Sequence, residues 1–140
     1  MSRLVIGIGA EDRGDDAAGI EVAKSLKNVD AVTYLEGSLG VIDVWEGWSD
    51  VVIIDAMKSG SPPGTVKRFD GLHDRLPTSS FVTTHTLATG EAIELARVLG
   101  RLPPKLTVFG IEAGSVDLGA PLSPEVVEAV TRVVAEIDHA

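Results

Sequence analysis

No cysteine occurs among the 140 residues of this chain. That absence excludes a disulfide framework, a cysteine-ligated zinc or iron-sulfur centre and a cysteine nucleophile. Any catalysis therefore rests on oxygen and nitrogen groups. Positive charge is also scarce: 12 Lys and Arg face 21 Asp and Glu, a formal net charge of -9. A surface that acidic repels a phosphate backbone, so nucleic acid is not expected as a partner. No apolar run approaches the roughly 20 residues of a membrane span. The amino end, Met1 to Gly9, offers one Arg and a short apolar run that stops at glycines, too little for a signal peptide. No membrane association is expected, and a cytoplasmic location is the default. Two catalytic signatures are missing as well. There is no G-x-S-x-G nucleophile elbow, and Asp12 stands where a dinucleotide-binding G-x-G-x-x-G needs its third glycine.

What the chain does have is 44% apolar residues, enough for a core that hides roughly 68% of the unfolded surface. One α/β domain over residues 1–140 is expected. Leu4 to Ile8 is a continuous apolar run, as for a strand buried on both faces of a parallel sheet. From Asp16 onward the pattern turns helical, with Ile20, Ala23 and Leu26 three apart. Ala31 to Leu35 reads as a second strand, Leu39 to Trp45 as a short helix, and Val51 to Ile54 as the clearest central strand, ending at Asp55. Turn chemistry in SGSPPG precedes a strand at Thr65 to Phe69. A helix stripe from Ala88 to Leu99 closes at Gly100, Leu106 to Ile111 is another strand, and Ser123-Pro124-Glu125 opens a last helix. This alternation predicts a three-layer α/β sandwich, with a largely parallel twisted sheet of about five strands flanked by helices.

In such sheets the ligand crevice lies beyond the carboxyl ends of the strands. The first strand leads there into GIGAEDRGDD, which holds Glu11, Asp12, Asp15 and Asp16. Four acids there would repel a pyrophosphate, a second argument against a nucleotide. The central strand delivers Asp55, and the segment before the next helix delivers His85 among Thr83, Thr84 and Thr86. Two carboxylates and an imidazole form a ligand set for divalent nickel, zinc, iron or manganese, if they converge. Plainer roles stand beside this one. Asp15 or Asp16 would serve equally as a helix cap, Asp55 would bond to nearby backbone, and His85 would bond within its Thr-rich turn. His73 and His139 read as solvated. Val41, Val44, Trp45 and Trp48 are either a partner-facing patch or an inward-packed helix.

The stretches LVIGIGAEDRGDDAAGIEVA, VVIIDAMKSGSPPGT and THTLATGEAIELARVLGRLPPKLTVFGIE resemble, in order and spacing, the nickel-iron hydrogenase maturation proteases. The resemblance spans nearly the whole chain. It implies an endopeptidase that removes the carboxyl-terminal extension of a hydrogenase large-subunit precursor once nickel is in place. It also implies that Asp16, Asp55 and His85 are both catalytic and metal-contacting. The nickel would be held by the substrate and recognised at the site, with another divalent metal such as zinc able to stand in. The alternatives are a checkpoint protein that binds metal and precursor without cleaving, and a small-molecule hydrolase with a metal of its own. Two departures bear on loop geometry: Ala10 stands where the family commonly has Asn, and EGSLG at 36–40 shortens a glycine-rich stretch.

Overall fold

The computed structural model describes residues 3–38, 40–77, 80–81 and 88–140. Strand β1 (Arg3–Ile8) leads through a 3-10 turn (Gly14–Ala17) into α1 (Ala18–Ser25), β2 (Ala31–Leu35), α2 (Val41–Trp45) and β3 (Asp50–Met57). Then follow β4 (Val66–Asp70), α3 (Thr89–Leu99), β5 (Lys105–Glu112) and α4 (Pro124–Asp138). The strands make one five-stranded sheet in the order β2-β1-β3-β5-β4. Pairings β1 with β2, β1 with β3 and β3 with β5 are parallel, and β4 lies antiparallel on β5. The turn-rich segment between β3 and β4 contains no helix to carry a parallel crossover, so the chain returns in the opposite direction.

The apolar runs are continuous because both faces of the sheet are covered. Alternate residues of β1 and β3 serve opposite cores: Leu4, Ile6, Val51 and Ile53 pack under Val41, Trp45 and Ile93, on the side of α2 and α3. Val5, Val52 and Ile54 pack under Val22, Val126 and Val133, on the side of α1 and α4. Each such side chain withdrawn from water contributes about 1.5–3 kcal/mol, which makes the central strands the stable base of the site.

Several element ends differ from the sequence reading, by one residue at β1, β5 and α3 and as follows elsewhere. Helix α1 begins at Ala18 instead of Asp16, because Gly14–Ala17 tighten into a 3-10 turn. Strand β3 continues past Asp55 to Met57, held by β5 through residue 112. The fourth strand is shifted by one residue, to Val66–Asp70. The second helix is Val41–Trp45, and Leu39 lies outside the described residues. Trp45 belongs to the core: it is 1% exposed and its indole N–H donates to the Arg101 carbonyl at 2.9 Å. Val41 is buried as well, so the two do not form an exposed patch with Val44 and Trp48.

Candidate functional site

Strand order fixes where a site can be. The chain runs from β1 outward to β2, then crosses back to place β3 on the other flank of β1. The carboxyl ends of β1 and β3 therefore flank the switch point, where connections leave in opposite directions and open a crevice. Gly19 in the first turns of α1 lets that helix come down on this point, since a Cβ there would run into the carbonyl oxygens of Ile8 and Ile54.

Asp16 comes to the crevice on a tightly specified turn. Gly9 has φ +151, and any Cβ on it would strike the Asp16 carbonyl oxygen, so only glycine fits. Ala10 donates its backbone N–H to Asp16 Oδ2 at 3.2 Å, and the Asp16 N–H donates to the Arg13 carbonyl at 3.1 Å. The family's usual Asn side chain is absent at position 10, yet the main chain there still holds the carboxylate. Neither acid caps α1 with its side chain. Asp15 instead accepts from the backbone N–H groups of Gly114 (2.7 Å), Ser115 (3.2 Å) and Ser123 (2.7 Å), and from the Ser123 hydroxyl (2.6 Å). Ser123 is the N-cap residue of α4, as its sequence implied, but its hydroxyl is spent on Asp15.

Asp55 is 1% exposed and Asp16 3%. The Asp55 carboxylate accepts the Ala56 N–H at 2.8 Å on Oδ1 and the Thr89 hydroxyl at 2.6 Å on Oδ2. Thr89, the first residue of α3, lies 2.8 Å from the buried Ser38 hydroxyl. With Asp55 ionised, Thr89 gives its one proton to the carboxylate, so Ser38 must donate to Thr89. Burial pushes the Asp55 carboxyl well above the usual carboxylate range; the Thr89 bond pulls it back, the nearby Asp16 charge raises it further, and the Ala56 bond opposes that rise.

The structure thus brings Asp16 and Asp55 together. His85, with Thr83, Thr84 and Thr86, lies outside the described residues. Among the described residues no group of three or more His, Cys, Asp and Glu side chains is gathered into a metal site. His73 is exposed and paired with Asp70 at 2.8 Å, and His139 is exposed, both as their settings in the sequence suggested. Sequence reasoning missed Thr89 and Ser38, the hydroxyls behind Asp55. Its nearest signals were a Thr at a helix start and a Ser between glycines.

Chemically, two buried carboxylates close enough for one charge to raise the other's pKa favour a bound proton or a cation, and their oxygens suit a divalent metal. A carboxylate with a raised pKa at a crevice is also the usual form of a general base.

Comparison with known proteins gives the chain's relatives. Residues 20–140 match the family model HycI, described as hydrogenase maturation protease. HupD of Thiocapsa roseopersicina, a hydrogenase expression/formation protein, is 28% identical over 94% of this chain and 63% of its own length. The chain thus spans less than two thirds of that relative. The coenzyme F420 hydrogenase subunit delta of Methanothermobacter thermautotrophicus is 26% identical over 96% of this chain and 90% of its own. Among solved structures, the [NiFe] hydrogenase maturation protease HybD from Thermococcus kodakarensis superposes with a TM-score of 0.75 at 27% identity, covering 99% of this chain and 98% of that one. A superposing α/β fold and a family match over most of its length place this chain in the hydrogenase maturation protease family.

Proposed function

We propose that the protein is an endopeptidase that removes the carboxyl-terminal extension of a nickel-iron hydrogenase large-subunit precursor after nickel insertion. In this reading Asp16, Asp55 and His85 recognise the metal, which arrives as part of the substrate, and the partner is the precursor protein. The observation that carries the reading is the buried Asp16 and Asp55 pair at the switch point of a chain from this family. The setting is taken to be cytoplasmic. No described helix is long and apolar enough to cross a membrane.

A bound divalent ion polarises a carbonyl or lowers the pKa of a water. The chain's own groups do the rest. Asp55, its carboxyl pushed up by burial, takes a proton from the water that attacks the scissile carbonyl. The new C–O bond forms, the C–N bond breaks, and the same carboxyl returns the proton to the leaving amine. Thr89 and Ala56 hold Asp55 in one orientation throughout. Asp16 supplies the second negative charge that makes a cation welcome.

The test is incubation with nickel-loaded and nickel-free precursor, followed by intact mass. Loss of a carboxyl-terminal peptide from the nickel-loaded sample alone is expected. A stable complex without mass loss would convert the protein into a checkpoint binder, and cleavage of simple esters or amides without a partner would convert it into a small-molecule hydrolase. His85 is tested separately by titrating nickel or zinc between pH 5 and 8. The affinity should weaken below about pH 6.5, and a flat profile would remove His85 from the ligand set.

A further inference from the structure

The turn that presents Asp16 also contains Arg13, and its side chain has no evident occupation in the fold. Its Nε–H is buried and meets no acceptor. No carboxylate among the described residues pairs with its guanidinium, although Glu11, Asp12, Asp15 and Asp16 surround it in sequence. Those acids are otherwise engaged or turned to solvent. Glu11 pairs with Lys24 at 3.3 Å, Asp12 is exposed, Asp15 is filled by four donors, and Asp16 holds the Ala10 N–H. A guanidinium is always charged, and a buried donor without a partner costs free energy, so native folds rarely leave one without a reason. The main chain of Arg13 is meanwhile fixed on both sides, its N–H to the Ala10 carbonyl at 3.3 Å and its carbonyl to the Asp16 N–H at 3.1 Å. A half-buried guanidinium whose Nε–H has no acceptor is thus held one turn from Asp16.

We infer that Arg13 is a substrate-binding residue, whose guanidinium takes oxygen acceptors of the precursor segment lying over the Asp16 and Asp55 crevice. The inference rests on the protease reading above. Two sources would supply such oxygens, a main-chain carbonyl beside the scissile bond or a carboxylate of the extension. A planar fork accommodates either.

The combination to look for is weaker substrate binding without loss of stability. Arg13→Met removes the orphan donor while keeping the apolar stem, so its melting temperature should equal or exceed that of the wild type. Its kcat/KM on nickel-loaded precursor should fall about 10- to 100-fold, the range for a hydrogen bond to a charged group, and the loss should lie in KM. Wild-type KM that rises with salt identifies a carboxylate acceptor, and KM indifferent to salt identifies a carbonyl. An Arg13→Met protein with unchanged KM overturns the inference. So does one that melts several degrees lower, because Arg13 would then be structural. If the wild type binds precursor without cleaving it, the protease reading fails on its own. Arg13 is then judged by dissociation constants, with about tenfold weakening in Arg13→Met supporting the inference and values within twofold overturning it.

Discussion

Asp15 and Asp16 are adjacent, identical in type and both buried, yet they divide the carboxyl edge of the sheet into two regions with opposite uses. On the α4 side, Asp15 collects three backbone N–H groups and one hydroxyl, and so ties the first loop to the connection between β5 and α4. On the β3 side, the Asp16 charge acts on Asp55, whose carboxylate has two donors and full burial. A carboxylate filled with donors is structure. Asp55, buried with two donors beside a like charge, has its carboxyl pushed up, which favours a bound proton or a cation.

The comparison breaks first at the catalytic side. Asp16→Asn and Asp55→Asn should each lower kcat for precursor cleavage by roughly 10²–10⁴-fold, with the fold intact by circular dichroism. Equal activity in either variant would remove that carboxylate from the mechanism. Asp15→Ala should do the reverse. Four donors lose their acceptor, which costs about 3 kcal/mol of stability and lowers the melting temperature by roughly 10 °C. Its kcat, measured well below the melting temperature, should stay within a few-fold of wild type.

Asp55→Asn sharpens the contrast by its pH dependence. A carboxyl whose pKa is raised on folding binds its proton more tightly in the native state than in the unfolded one. It therefore costs no stability below its ordinary value of 3.8, and a growing amount as the pH rises from there toward the raised native value. The Asn variant removes that cost, so it should melt a few degrees above wild type at pH 7, with the gap closing as the pH falls to about 4. A gap independent of pH would show that charge at Asp55 is not the cause. The smallest effect is expected of Ala10→Asn. The Ala10 main chain already holds Asp16, so restoring the family's side chain should change kcat/KM by less than about threefold.

Much of this was legible in residue order. Apolar runs at Leu4 to Ile8 and Val51 to Ile54 disclosed buried parallel strands, because both faces of each must avoid water. Their carboxyl ends then led to Asp55 and to the acids at 11, 12, 15 and 16, among which only the family resemblance singled out Asp16. The division of labour between Asp15 and Asp16 was not legible. It depends on Gly114, Ser115 and Ser123, which lie about a hundred positions away and meet Asp15 only when α4 packs against α1. Thr89 and Ser38 were hidden for the same reason. Each looks like ordinary helix-start or turn chemistry until the fold stacks them behind Asp55.

Composition and periodicity by themselves determined a cysteine-free, acidic α/β chain with candidate carboxylates at its strand ends, since these follow from residue type and from repeats of two and 3.6 along the chain. Tertiary structure alone decided that Asp15 is filled with donors from the β5–α4 connection, and which hydroxyls stand behind Asp55. Hydrogen-bond donors and desolvation come from whatever the fold brings alongside a group, and that partner is seldom a neighbour in sequence.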